Sequence, residues 1–393
     1  IIAGVGMDYI TAVAGETGRD IIAGDGAQIT FRTPEFDGTH VANLVTTYQT
    51  IVGDVDQIDA GAGGDIVLGG IGGDIIDAGD GNSIIIGDAG RLIGADRGLI
   101  AADQALITLT EAISLDAAIG GDDVITLGSG IVVVIGGHGV DTIVTAGAAD
   151  IQGPAIILGD AGRIQTNTEA GASDIHVLAV ETLFPEVGAG DFITTSAGSD
   201  IIIGGLGIDT INAGNGDNII AGDGASIKGA DAFPTNGQKR PMTLTSITPV
   251  GAGSGDGDLI TTGLGRDIVL GGTGADVITT NVGETAGTYD AADIVIGDYA
   301  ELEFEIFEGN EIPVRITSVA ELDGGDDVII TGAGADIVLG GTGADTITAG
   351  ADNDLIFGDH AEIIGNIRVQ DLAIGDGRIF DFKSISTTAA DLG

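Results

Sequence analysis

Between Gly324 and Asp359 the chain reads GGDDVIITGAGADIVLGGTGADTITAGADNDLIFGD, and carboxylates recur in it at steps of nine. Asp327, Asp336, Asp345 and Asp354 occupy one place in successive glycine-rich steps, each followed by a short run: VII, IVL, TIT, LIF. Glycine supplies the positive φ and close backbone approach that a stacked turn needs, and Asp closes a turn with its carboxylate. Three aliphatic or β-branched residues then make a strand whose middle side chain points inward. The pattern is a tight turn alternating with a short strand.

The same step runs through the rest of the sequence. A Gly-Asp pair at Asp25, Asp88, Asp160, Asp223, Asp298 and Asp359 closes each glycine-rich stretch, and it divides the chain into six blocks: 1–50, 51–118, 119–187, 188–253, 254–322 and 323–393. Asp8 and Asp20 mark the first block. Asp56, Asp65 and Asp74 mark the second, with Ser83 in the fourth place, and Asp123 and Asp141 mark the third, with Val132 and Ala155 in the other two places. The fourth has Asp191, Asp200, Asp209 and Asn218, and the fifth has Asp258, Asp267, Asp276 and, after a longer loop, Asp293.

Repeated in phase, these residues resemble the calcium-binding nonapeptide G-G-x-G-x-D-x-U-x of the RTX family. The resemblance implies an all-β fold, a right-handed parallel β-roll solenoid. It also implies the giant adhesin or surface-layer kind of protein, with calcium as cofactor and an exported, cell-surface or secreted location. Stacked Gly-Asp turns would present carboxylates and carbonyls in two parallel rows, the all-oxygen surroundings that Ca²⁺ takes with 6–8 ligands and that suit Mg²⁺ less well. The eighteen Asp residues at the nine-residue places are the candidate ligands. Asp and Gly also make turns without metal, and an isolated pair would be read that way. Weak or missing ions are expected beside Val132 and Ala155. The Asp of each block-ending pair either caps a calcium row or starts the exit turn.

Charge points the same way. Sixty acidic residues stand against 13 basic ones, giving a net charge of −47. Crowded at close turns, these charges would repel without a counter-ion, and on the order of twenty divalent ions would offset most of the excess. Removing calcium should then open the turns. Yet 43% of residues are hydrophobic and regularly placed, so there is material for a long, thin core rather than a disordered chain. With 71 Gly and no Cys, the chain is neither an ordinary globular enzyme nor a disulfide framework.

Between the glycine-rich stretches lie less regular segments: 26–50, 89–118, 161–187, 224–253, 299–322 and 360–393. Their alternating runs, such as Ala27 to Phe31 and Leu244 to Thr248, predict hairpin-like inserts, one per block. Pro185, Pro234, Pro241 and Pro313 fall in them and fit poorly inside a ladder.

A second pattern sits in the strands. In the second and fourth steps the residues flanking the inward one are apolar too, as at Ile66 and Leu68, Ile201 and Ile203, or Ile337 and Leu339. In the first and third the matching outer position is usually polar, as at Asp77, Thr194 and Thr279. If two steps make one coil, one of two opposite sheets is apolar on its outside and requires a cover, either the inserts or a neighbouring chain.

No catalytic motif is present. His40, His138, His176 and His360 are scattered singly and read as surface or turn residues, and the recurring Gly-x-Gly leads into strands, not a helix. Acidity argues against nucleic acid as a partner, Lys239 and Arg240 being the one adjacent basic pair. No uninterrupted apolar stretch suits a transmembrane helix. Beginning at Ile1 within a repeat, the sequence reads as a window on a longer protein. The expected function is a non-enzymatic, calcium-dependent extracellular structural or adhesive stalk, fibre or surface layer, able to self-associate. The alternative is the calcium-folded carrier region of a secreted enzyme or toxin. A ligand face made by the threonines, for ice or glycan, is a third reading.

Overall fold

The computed structural model describes residues 1–12, 17–31, 41–48, 53–95, 107–116, 118–145, 153–167, 175–231, 240–285, 290–307, 310–319, 323–365 and 382–388. Three sheets run the length of the molecule. Each nine-residue step gives one strand, and alternate steps go to opposite parallel sheets of eleven strands. Two steps therefore make one coil, two coils and a hairpin make one block, and the chain is a parallel β-roll.

One parallel sheet is made by the first and third steps of each block and stacks in register, Ile58 on Ile76, Ile76 on Ile125 and Ile125 on Ile143. The other is made by the second and fourth steps, with Val67 on Ile85, Ile85 on Val134 and Val134 on Ile157. These middle side chains face each other, and with Ile193, Ile202, Ile211, Ile220, Ile260 and Val269 they form a dry two-sided core inside the coil. Fully burying such a side chain contributes about 1.5–3 kcal/mol. The core is only two side chains deep, so its stability grows with the number of coils.

The inserts are hairpins. Strands Ala27–Phe31 and Ala42–Thr47 pair antiparallel, and so do Gly90–Gly94 with Leu109–Ser114, Gly162–Asn167 with His176–Thr182, and Ala225–Gly229 with Leu244–Pro249. Ala300–Phe307 with Asn310–Ser318 and Ala361–Gly365 with Phe382–Thr387 complete the set. Successive hairpins also pair with one another, so that six inserts become a single twelve-stranded antiparallel sheet.

This third sheet covers the apolar flank. Val45, Leu92, Ala112, Ile164, Val180, Ile227, Ile247, Leu302, Ile316 and Ile363 pack on Ile66, Leu68, Ile84, Ile86, Val133, Ile135, Ile201, Ile203, Ile268 and Leu270 in a second continuous core. The inserts, not a neighbouring chain, bury these residues.

Three local readings need adjustment. The opposite parallel sheet is mixed on its outside: Tyr9, Ile75, Val124, Phe192, Leu259, Val277 and Val328 are exposed on the flank that precedes the inward residue. Pro313 lies inside a strand, at a register shift opposite Phe304, where an irregular ladder tolerates a missing N–H; Pro234 lies outside the described residues. His138 is a turn residue, whereas His176 and His360 are buried, His360 against the Thr342 hydroxyl at 3.2 Å; His40 lies outside the described residues.

The few basic side chains serve the hairpin sheet. Arg163 pairs with Glu181, Arg315 with Glu362 at 3.1 Å, and Arg240 with Glu311. The last pair is nearly buried and ties the fourth hairpin to the fifth. Lys239 lies outside the described residues.

Candidate metal centre

The two rows of Asp residues lie along the two opposite edges of the roll. Asp8, Asp56, Asp74, Asp123, Asp141, Asp191, Asp209, Asp258, Asp276, Asp327 and Asp345 precede strands of the mixed-face sheet and share the first edge. Asp20, Asp65, Asp200, Asp267, Asp293, Asp336 and Asp354 precede strands of the covered sheet and share the second.

On both edges one carboxylate oxygen closes a turn. Along the first edge the N–H of each Asp donates to Oδ1 of the Asp one coil further on: Asp56 to Asp74 at 2.7 Å, Asp74 to Asp123 at 2.6 Å, Asp123 to Asp141 at 2.8 Å. The chain of such bonds runs unbroken from Asp8 to Asp345. Along the second edge it runs from Ala155 through Asp200, Asn218, Asp267 and Asp293 to Asp336 and Asp354. It is interrupted at Val132, whose N–H donates to the Pro154 carbonyl instead. The turn-making role of Asp and a ligand role are thus carried by different oxygens of one side chain.

The second oxygen distinguishes a possible ligand. On the first edge, Oδ2 of Asp56, Asp74, Asp123, Asp141, Asp191, Asp209, Asp258, Asp276, Asp327 and Asp345 is buried and accepts no hydrogen bond. A buried, unsatisfied carboxylate oxygen is costly. Each faces a glycine that opens the same edge: a Cβ at Gly69 would come within 2.5 Å of Asp74 Oδ2 and overlap the Gly87 carbonyl, and one at Gly87 would overlap Asp123 Oδ2 and lie 2.7 Å from the Gly136 carbonyl. The same pairing of carboxylate oxygen and next-coil carbonyl recurs at Gly24, Gly136, Gly159, Gly204, Gly222, Gly271, Gly297 and Gly340. Two hard oxygens therefore converge, coil after coil, on space kept open by glycine. That is a donor set for Ca²⁺, which accepts carboxylates and backbone carbonyls together. Among the described residues no three His, Asp or Glu side chains are grouped to hold a metal ion. Any site here draws on carboxylates of neighbouring turns and on main-chain carbonyls.

Burial raises the affinity of these carboxyls for a proton. It pushes Asp74 up to about 8 and Asp276 up to about 10, with Asp56 and Asp25 adding to the first and Asp258 and Asp327 to the second through like charge, against the backbone N–H that each accepts. Asp123, Asp191 and Asp209 are driven well above the usual range for the same reasons, burial foremost.

In the second, third and fifth blocks the block-ending Asp clamps the exit turn. Asp88 accepts the N–H of Gly121 at 3.2 Å and of His138 at 2.5 Å, and Asp160 accepts those of Ala189 at 3.2 Å and Leu206 at 2.5 Å. Asp88, Asp160 and, through Gly325 and Thr342, Asp298 reach past the insert and bind the next two turns of the first edge together, whereas Asp25 and Asp223 each accept one backbone N–H, from Ile71 and Thr273, and keep a buried Oδ1 without a hydrogen bond.

The model of the RTX calcium-binding nonapeptide repeat matches residues 53–85, 68–91, 118–151, 194–225, 252–284 and 322–356. Over these stretches the chain is built of RTX-type calcium-binding repeats. Calcium is therefore its cofactor, and the orphaned carboxylate oxygens of the first edge fit it. No curated protein and no solved structure matches the chain.

Sequence reasoning missed the partners of the carboxylates. The first-edge glycines and the second-edge threonines Thr195, Thr262 and Thr331 each stand five residues before an Asp in the regular turns, a spacing visible in the sequence whose meaning depends on which edge the turn occupies.

Proposed function

We propose that this RTX region is an extracellular, calcium-rigidified structural spacer, a stalk or fibre segment that holds other parts of a surface or secreted protein apart. The observation that carries the reading is the third sheet: hairpins from all six blocks pair edge to edge, so the coils are joined twice, through the roll and through its cover. Ten inter-strand steps at about 4.8 Å make the roll roughly 50 Å long, with one cross-section throughout. We infer a structural rather than a catalytic role from what the buried carboxylates do among the described residues: they close turns, clamp exits or present oxygens suited to a cation.

Small-angle X-ray scattering of the chain in calcium and in chelator tests this. A compact, folded particle in calcium that becomes expanded and featureless in chelator is the expected result, and a profile indifferent to chelator would overturn it. Sedimentation in the same buffers tests self-association into a fibre or layer. The orphaned carboxylates also favour a second reading, a carrier region that stays unfolded until it meets calcium outside the cell. A catalytic or pore-forming domain on the same polypeptide would select it.

A further inference from the structure

We infer that the calcium array of this roll is one-sided: from Ser83 to Asp336 ions are held along the first edge only, and threonine hydroxyls or non-carboxylate residues replace them along the second. The inference rests on the calcium-roll reading and goes beyond it, since a nonapeptide roll offers two edges.

The second edge differs in its free carboxylate oxygen. Oδ2 of Asp200 accepts the Thr195 hydroxyl at 2.5 Å, Asp267 that of Thr262 at 2.5 Å, Asp293 that of Thr280 at 2.5 Å, and Asp336 that of Thr331 at 2.6 Å. All eight partners are buried. Thr195 Oγ1 also lies 2.9 Å from the carbonyl of Ala213 in the next coil. A carboxylate oxygen and a next-coil carbonyl are the two groups that converge on open glycine space on the first edge. Here a hydroxyl already stands between them.

Sequence supports the same division independently. The turns of the first edge open with glycine at Gly24, Gly69, Gly87, Gly136, Gly159, Gly204, Gly222, Gly271, Gly297 and Gly340, and all ten Asp places from Asp56 to Asp345 hold Asp. The turns of the second edge open with Ala, Leu or Thr, as at Ala78, Leu127 and Thr262. All four departures from Asp, namely Ser83, Val132, Ala155 and Asn218, fall on this edge. Between Ser83 and Asp336 each place is therefore either threonine-capped or lacks a carboxylate. An Asp there is a turn-former whose second oxygen is satisfied within the protein. Asn can replace it, because Asn218 accepts the Asp200 N–H through Oδ1 at 3.0 Å just as its neighbours do. The weak sites expected at Val132 and Ala155 become one part of a metal-free edge.

Anomalous diffraction from crystals of the native chain grown in calcium, with calcium stoichiometry by equilibrium dialysis for native, Asp141→Asn and Asp267→Asn chains, tests the inference. Peaks beside Asp56 to Asp345 with none beside Asp200, Asp267, Asp293 or Asp336 are expected. Asp267→Asn should bind as many ions as the native chain, and Asp141→Asn at least one fewer. Peaks at the threonine-capped residues, or an ion lost in Asp267→Asn, would overturn one-sidedness and leave the calcium roll standing. An absence of bound calcium on both edges would overturn both. Should Asp141→Asn fail to fold, the native crystal still decides.

Discussion

Stripped of metal, this chain should be more stable in mild acid than at neutral pH. Asp74 and Asp276 are raised by burial from 3.8 to about 8 and about 10. A carboxyl whose folded pKa lies above its unfolded one favours folding while it is protonated in both states. That advantage is complete below pH 4 and disappears as pH rises through the folded value. For Asp74 the loss across that window is on the order of 5 kcal/mol. Asp56, Asp258 and Asp327 shift the same way, and a few such groups together exceed the roughly 5–15 kcal/mol that holds a domain folded. Calcium on the first edge reverses the sign, because a cation favours the ionised form. Urea unfolding followed by circular dichroism, in chelator from pH 5 to 8, should give a midpoint that falls as pH rises. In millimolar calcium the fall should vanish, and binding at pH 7 should release protons. A metal-stripped chain equally stable or more stable at pH 7.5 than at pH 5 would refute the reasoning, since the orphaned oxygens would then have another partner.

Other perturbations separate the layers. Gly136→Ala places a methyl against Asp141 Oδ2 and the Gly159 carbonyl, so calcium bound per chain should drop, as read by isothermal titration. Ile247→Ala empties a fully buried place between the hairpin sheet and the roll and should cost about 2–5 kcal/mol in urea unfolding with calcium present. Arg240→Ala leaves the Glu311 carboxylate buried without its cation, holding only the Leu244 N–H, and should cost about 3–5 kcal/mol by the same measurement. Arg91→Ala, at a partly exposed pair 3.8 Å from Glu111, should cost less than about 1 kcal/mol.

The hairpin sheet shows how far local pattern reaches. Alternation within 26–50 or 224–253 is enough to indicate two strands, because a hairpin pairs residues close in the chain. That Thr46 lies opposite Arg91, or Ile247 opposite Leu302, depends on where the coils place the roots of successive hairpins. The exposed flank at Tyr9, Phe192 and Leu259 was equally hidden, since an apolar residue next to an inward one reads as core until the sheet's outer face is known.

The sequence by itself determined the nine-residue step, the two-step coil, the calcium family and the need for a cover over Ile66, Leu68 and their equivalents, because each follows from residues within one or two turns of one another. Only the tertiary structure decided that the six inserts fuse into a single covering sheet, and that between Ser83 and Asp336 the Asp residues divide into an edge of orphaned oxygens and an edge of threonine-capped ones. Asp267 and Asp276 sit in almost the same local sequence. What separates them is whether the side chain five residues earlier is a hydroxyl that reaches Oδ2 or a glycine that leaves it bare, and that is a difference in space, settled by the stacking of one coil on the next.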